Sequence, residues 1–175
     1  QLDAPALCPQ FPKGQFDMSA EFGSKMLLSW QHNCAKATTT FTFTAATDGW
    51  AGIGFNDRAL SPAKMAGCDI YQFSADRVGF KNGQPAGNMN GLPVTFQKQA
   101  FIGLPQLSIN AVAREVTAVF ERAWLAQDAQ HSSLSSAGGL NVILARHPTA
   151  KLLTTKHTQT KAISTKLFLF AANAP

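Results

Sequence analysis

A strict alternation of threonine and phenylalanine is the sequence feature that most restricts the fold. Residues 40–44 read Thr-Phe-Thr-Phe-Thr, a period of two that places both aromatic rings on one side of an extended strand. Turn dipeptides recur between segments of this kind and mark the ends of short strands. They are Asp48-Gly49, Asn82-Gly83, Asn90-Gly91 and Gly138-Gly139. This pattern is typical of antiparallel sheets.

Strand-like segments run along most of the chain. The further predicted strands are Met26–Trp30, Trp50–Phe55, Asp69–Phe73, Leu107–Val112, Glu115–Phe120, Leu140–Ala145 and Ile163–Phe170. Single helical turns are predicted at Ser61–Met65 and within Glu121–Gln130, and Gly83–Pro93 is predicted to be a long, mobile loop. About ten short strands with frequent turns indicate an all-β fold, an immunoglobulin-like antiparallel β-sandwich. The length of 175 residues suits one domain spanning 1–175.

Charge and hydropathy narrow the classes of partner. Only 14% of the residues are charged, and the net charge is +5. Four lysines are spread along the C-terminal stretch: Lys151, Lys156, Lys161 and Lys166. They form either a solvated basic face or a docking patch that would speed encounter with an acidic partner. Because basic residues are not clustered with aromatic ones, no nucleic-acid partner is expected.

The chain carries no apolar run near the roughly 20 residues needed to cross a bilayer, so no transmembrane segment is expected in it. It begins at Gln1 without an initiator methionine or a hydrophobic leader. That beginning is typical of a mature secreted protein after removal of its signal peptide. We therefore expect an extracellular location.

The three cysteines, Cys8, Cys34 and Cys68, contain no C-x-x-C pair, which disfavours a zinc site or a thioredoxin-type redox site. In an oxidising compartment, one disulfide and one remaining thiol is the simplest arrangement. Cys8 and Cys34 lie in polar, loop-like surroundings, and we predict that they pair. Cys68 precedes an apolar run, so we predict a buried thiol outside the disulfide.

Common catalytic motifs are missing from the sequence. It has no G-x-S-x-G nucleophile elbow, no P-loop and no dinucleotide-binding glycine motif. The four histidines, at positions 32, 131, 147 and 157, lack the spacing of a zinc site, and His32 is predicted at the surface. Met65 is more unusual, because it is an apolar thioether within the polar run Lys64–Asp69. It is either packed within its loop or a soft ligand for haem iron or copper.

Taken in order, several segments resemble the DOMON superfamily, and in particular its haem-binding cytochrome branch. That branch includes the cytochrome domain of cellobiose dehydrogenase and extracellular domains of ferric-reductase-like proteins. The segments are Met26–Trp30, Asp48–Phe55, Met65–Ile70, Val119–Arg122, Asn141–Ala145 and His157. The most specific of them are the strand G-W-x-x-I-G-F and the M-x-G-x-D run that follows it. The resemblance covers roughly residues 15–171.

The resemblance implies a haem b held between two axial ligands. In haem-binding members the methionine of the M-x-G-x-D run is one ligand and a histidine before the last strand is the other, which here are Met65 and His157. His147 is the reserve candidate for the second ligand, followed by Lys156. Without a C-x-x-C-H motif the haem would be non-covalent. Wall residues are expected next to the Met65 segment: Phe55, Tyr71, Phe73 and Met89.

This ligand set implies electron transfer without catalysis. Ligation by both methionine and histidine leaves iron no open position for oxygen, and the thioether raises the reduction potential. The expected partner is a redox protein, namely a flavin dehydrogenase, a transmembrane b-type cytochrome or a copper oxygenase. Two alternatives stay open, since a fold alone does not decide function. One is a haem-free DOMON-type module that binds sugars or catechols, and the other is an interaction sandwich with no small ligand.

Overall fold

In the computed structural model, the regular secondary structure of the described residues is β-strand apart from one four-residue helix. The structure describes residues 13–57, 68–75, 80–85, 93–95, 101–126, 128, 131–134, 140–149, 163–167 and 169. The elements, in chain order, are β1 Lys13–Asp17, α1 Ser19–Phe22, β2 Met26–Asn33, β3 Thr38–Ala46, β4 Trp50–Asn56, β5 Asp69–Ser74, β6 Phe80–Pro85, β7 Pro93–Thr95, β8 Gln106–Asn110, β9 Glu115–Ala123, β10 Leu140–His147 and β11 Ile163–Leu167. The all-β sandwich predicted from the sequence is confirmed.

The first sheet has five antiparallel strands in the order β1-β2-β3-β9-β8. Its central strand β3 pairs with β2 from Met26↔Ala45 to Asn33↔Thr38 and with β9 from Thr38↔Ala123 to Ala46↔Glu115. In β9, buried positions alternate with half-buried ones along the whole strand. This sheet therefore has one face in the core and one partly solvated face, as period-two patterning dictates.

The second sheet has six antiparallel strands in the order β11-β10-β4-β5-β6-β7. Strand β4 is central: Phe55 is opposite Val142 of β10 on one side and Asp69 of β5 on the other. Every residue of β4 and of β5 is buried, on both faces of the sheet. Since strand residues point alternately to the two faces, this sheet has a second buried surface on the side away from the first sheet.

A hydrogen-bonded chain across the sandwich fixes the C-terminal segment to β2. His32 Nε2 lies 2.9 Å from the carbonyl oxygen of Leu169, to which Trp30 Nε1 also donates. A carbonyl can only accept, so Nε2 carries the proton and Nδ1 accepts from the Thr39 hydroxyl, 2.8 Å away. Trp124 Nε1 donates to the same hydroxyl oxygen at 2.9 Å. The prediction of a surface position for His32 is wrong, because the residue is buried.

Arg146, near the end of β10, forms hydrogen bonds that bridge the two sheets. Its guanidinium donates to the carbonyl oxygens of Ala46 at 2.8 Å and Phe22 at 3.0 Å, and also to the Ser24 hydroxyl. The charged group also lies 5.6 Å from the centre of the Phe22 ring, a cation–π distance. Short helix α1, which the sequence did not predict, is thereby attached to both sheets.

Several local predictions need correction. The Asn82-Gly83 pair, predicted as a turn, lies within β6, and Gly83–Pro85, predicted as part of a mobile loop, completes that strand. Strand pairing with β5 supplies the backbone hydrogen bonds that would otherwise favour a turn. The predicted helical turn within Glu121–Gln130 is wrong at its start, because β9 continues to Ala123. The predicted turn at Ser61–Met65 lies outside the described residues.

Cys68 is a buried thiol that forms no disulfide, as predicted. Cys34 takes part in a disulfide. Its expected partner, Cys8, lies outside the described residues, so the pairing itself stays a prediction. In the part of the chain that the structure describes, no helix is long and apolar enough to cross a membrane.

Candidate functional site

The face of the six-stranded sheet that points away from the first sheet is here called the outer platform, and on β4 and β5 it combines small and apolar residues with buried polar ones. Strand β4 contributes two glycines there, Gly52 and Gly54. Register places Gly54 between Ile70 of β5 and Ile143 of β10. Both isoleucines are buried although they are on the outer side of the sheet, at 8% and 6% exposure.

Neighbouring atoms pack closely against both glycines of β4. A Cβ atom at Gly54 would lie 3.3 Å from Cγ1 of Ile70 and 3.4 Å from Cβ of Cys68, so the neighbouring side chains already lean toward the strand axis. At Gly52 a Cβ atom would lie 3.2 Å from the carbonyl oxygen of Tyr71, 3.3 Å from Cγ of Gln72 and 3.5 Å from Cζ3 of Trp50. Side chains of neighbouring residues therefore occupy the space beside both glycines. Glycine in a strand interior often marks the close approach of a ligand or another backbone.

Cys68, Ile70 and Ile143 form an apolar cluster separate from the main core. Burial raises the pKa of the Cys68 thiol to about 12, although a hydrogen bond with the Asn56 side chain partly opposes the shift. Cys68 is therefore a neutral thiol at physiological pH and acts as a small apolar side chain. The cluster adds apolar surface to the platform without adding charge.

The predicted axial ligands Met65 and His157 lie outside the described residues, as does the predicted wall residue Met89. Their connections are nevertheless defined by the strands that flank them. Residues 57–68 join β4 to β5, and residues 148–162 join β10 to β11. Both connections therefore begin and end on the six-stranded sheet that carries the outer platform.

The other three predicted wall residues, Phe55, Tyr71 and Phe73, lie on the opposite, core-facing side of β4 and β5, and all are fully buried. Tyr71 stacks on Phe120 of β9 with ring centroids 4.8 Å apart, and Phe73 lies 5.4 Å from the same ring. Phe55 packs against Phe41 at 5.1 Å. These rings build the core between the two sheets, and their role as haem walls stays a prediction.

His147, the reserve candidate for the second ligand, is the last residue of β10 and pairs with Trp50 of β4. Its Nδ1 accepts a hydrogen bond of 3.2 Å from the backbone N–H of Thr149. A neutral imidazole that accepts at Nδ1 carries its proton on Nε2. A ligating histidine commonly binds metal through one ring nitrogen while the other donates its proton, so this arrangement does not favour His147. Among the described residues, no three His, Cys, Asp or Glu side chains group as metal ligands.

Sequence reasoning missed a buried ion pair at the β5 end of the site. Arg122 Nη1 donates to Asp69 Oδ2 at 2.9 Å, and the two side chains are only 2% and 0% exposed. Arg122 comes from β9 and Asp69 from β5, so the pair joins the two sheets through the core. The signal was present in the sequence: Arg122 follows Val116, Ala118 and Phe120 in the inward phase of an alternating strand.

The backbone of residues 131–134 completes this network. Ser132 N–H donates to Asp69 Oδ2 at 3.3 Å, and Arg122 donates to the Ser132 carbonyl oxygen. The Ser132 hydroxyl donates to the carbonyl oxygen of Phe55 at 3.0 Å, and the N–H of Ser133 donates to Asp57 Oδ2 at 2.8 Å. The last residues of β4 and the first residue of β5 are therefore held by one short segment.

Comparison with known proteins agrees with the fold. The chain is similar in structure to the cytochrome domain of Myriococcum thermophilum cellobiose dehydrogenase, with a TM-score of 0.52. The match covers 93% of this chain and 85% of that domain, at 12% sequence identity. At this identity the likeness shows a shared fold. No protein-family model matches the chain. No curated protein sequence matches it either. Membership of the DOMON superfamily accordingly stays a prediction.

The outer platform is compatible with a planar, apolar cofactor. Its centre combines two glycines, two buried isoleucines and a neutral thiol with the buried side chain of Gln72, and the outward-facing positions of β4 and β5 carry no ionised side chain. Ligand sites for flat organic groups are mostly apolar, with few polar contacts. The donor set expected from the sequence, one thioether and one imidazole, is one that haem iron accepts.

Proposed function

We propose that the chain is an extracellular b-type cytochrome domain that carries single electrons through one non-covalent haem, with Met65 and His157 as axial ligands. The observation that carries the proposal is the outer platform. It is a buried surface with glycines and isoleucines at its centre, and the connections containing both predicted ligands start and end on its sheet, the β4–β5 connection at one end and the β10–β11 connection at the other. The shared fold with a cytochrome domain supports the same assignment.

In this proposal the protein fixes ligands and excludes water. A haem with both axial positions filled supplies one-electron exchange at iron and leaves no site for bond-making chemistry. Met65 would supply a soft thioether and His157 an imidazole nitrogen. Ile70, Ile143 and the glycines of β4 would pack against the macrocycle and keep the local dielectric low, which favours a high reduction potential.

The redox partner would be a flavin dehydrogenase, a transmembrane b-type cytochrome or a copper oxygenase. The net charge of +5 favours encounter with an acidic partner surface, mainly through the association rate. A disulfide at Cys34 is compatible with an oxidising, extracellular compartment. With an acidic partner, the rate of electron transfer between the two proteins should fall as ionic strength rises.

Hemin titration of the purified chain tests the proposal. We expect one equivalent to bind and to give a low-spin, six-coordinate Soret spectrum. Met65→Ala and His157→Ala should each convert that spectrum to a five-coordinate, high-spin form, or weaken binding about tenfold or more. His147→Ala is the matched control and should leave the spectrum unchanged. Failure of wild type to bind hemin would reject the cytochrome assignment and leave a haem-free binding module.

A further inference from the structure

Apolar residues could fill the space that the buried pair of Arg122 and Asp69 occupies in the core. Removing two charges from water costs several kcal/mol per ion, and well-packed apolar replacements of such pairs are often as stable or more stable. Both side chains lie at 2% exposure or less, inside an otherwise apolar core. The pair is therefore better explained by what it holds in place than by the stability that it adds.

It holds the two ends of the segment that contains Met65. Before that segment, the carbonyl of Phe55 and the carboxylate of Asp57 accept hydrogen bonds from Ser132 and Ser133, at 3.0 and 2.8 Å. After the segment, the carboxylate of Asp69 accepts from the backbone of Ser132 at 3.3 Å. One loop thus ties together both ends of the β4–β5 connection.

Arg122 fixes that loop in turn. Its guanidinium donates through separate nitrogens to the carboxylate of Asp69, the carbonyl of Ser132 and, at 3.2 Å, the carbonyl of Ala123. A planar guanidinium offers its donors in a fixed fork, so these three acceptors are held in one relative arrangement. The Arg122 carbon Cζ also lies 6.0 Å from the centre of the Tyr71 ring, which limits its movement toward the core.

We propose that Arg122, Asp69 and Ser132 are positioning residues for the axial methionine. They fix the ends of the β4–β5 connection and thereby keep the thioether of Met65 within bonding reach of haem iron. The inference rests on the proposed function. Beyond that function, it assigns control of methionine ligation, and hence of the reduction potential, to a hydrogen-bonded network on the core side of the sheet.

The test separates positioning from stability. Arg122→Met alone would leave the Asp69 charge buried and could prevent folding, so the main variant is Arg122→Met with Asp69→Leu, which removes both charges. Ser132→Ala is a milder variant that removes only the hydroxyl. Arg146→Gln is the matched control, because it removes a guanidinium that holds backbone carbonyls at the far end of the sandwich.

Each hemin-loaded protein is measured in two ways: by the near-infrared methionine-to-iron charge-transfer band of the ferric form, and by urea unfolding. We expect the double variant to fold with a urea midpoint close to that of wild type and to lose most of the band. Its reduction potential should fall, because the thioether no longer favours ferrous iron. Ser132→Ala should lose part of the band, whereas Arg146→Gln should lower the urea midpoint and keep the band.

A double variant with full band intensity and an unchanged potential would overturn the positioning role while leaving the proposed function intact. Equal loss of the band in Arg146→Gln would also overturn it, since the effect would then follow stability alone. Wild type that binds no hemin would remove the proposed function itself. The two failures are therefore distinguishable from the wild-type spectrum.

Discussion

Replacement of Phe120 by alanine should remove the centre of the core. The ring is 2% exposed and lies between both sheets. Its centroid is 4.8 Å from that of Tyr71, 5.3 Å from Phe41, 5.4 Å from Phe73 and 5.8 Å from Phe101. Truncation to alanine removes all four ring contacts and leaves a cavity between the rings that remain.

The cost follows from burial and ring geometry. Phenylalanine-to-alanine substitutions at buried sites destabilise proteins by about 3–5 kcal/mol, through lost transfer free energy and the cavity left behind. Each favourable ring pair adds about 0.5–1.5 kcal/mol beyond burial, though the terms are not additive. We therefore expect a loss of about 4–5 kcal/mol, a large share of the 5–15 kcal/mol typical of whole domains.

Urea unfolding of Phe120→Ala, followed by tryptophan fluorescence, measures this loss. The midpoint should fall while the slope stays unchanged, because the same surface is exposed on unfolding. Val119→Ala, the neighbour that points to the half-buried face of β9, is the control and should cost about 1 kcal/mol or less. A loss below about 2 kcal/mol for Phe120→Ala would refute the aromatic core as described.

Three further predictions concern single sites. Gly14→Ala would place Cβ 2.4 Å from Cζ2 of Trp30, so the indole must move. The free energy of unfolding should therefore fall by about 1–3 kcal/mol. The control, Gln15→Ala at the exposed neighbouring position, should change the free energy of unfolding by no more than about 0.5 kcal/mol. Burial lowers the pKa of His32, so its contribution to stability is complete above the unfolded pKa of about 6.5 and is lost as pH falls through the lower folded pKa. Urea midpoints should accordingly drop between pH 7.5 and pH 5, and this part of the drop should be absent in His32→Gln. The Cys68 thiol, buried and with its pKa raised to about 12, should react with iodoacetamide only after unfolding, and rapid labelling of the native protein would contradict its burial.

Strands with one solvated face were the part of the fold that the sequence predicted best. The Thr-Phe alternation around Phe41 lies in β3, where Thr40, Thr42 and Thr44 are half-buried on the outer side while the phenylalanines enter the core. Water on one face is what imposes a period of two on the sequence. The same condition holds for β9, where prediction missed only the last three residues.

Strands buried on both faces were harder to interpret. Trp50–Asn56 has no polar face, so its sequence does not show which side chains point to the core. Phe55 and Tyr71 were expected beside the Met65 segment on the strength of sequence proximity, and both face the other sheet. The small residues Gly52 and Gly54, which shape the outer platform, gave only a weak signal of close packing.

Long-range polar contacts could not be predicted from spacing. Arg122 and Asp69 are separated by 53 positions, and their meeting depends on how the two sheets are stacked. His32 was expected at the surface because it follows Trp30 at the end of a predicted strand, but it contacts Leu169, 137 positions away. Contacts of this kind require the topology first, since no local pattern encodes them.

An optical redox titration of the hemin-loaded wild-type protein tests the central proposal most directly. A cytochrome domain with methionine and histidine ligands should follow a single one-electron Nernst curve, with separate, sharp α and β bands in the ferrous form. A chain that takes up no hemin, or that gives only a five-coordinate spectrum, would contradict the proposal that Met65 and His157 hold a haem for electron transfer.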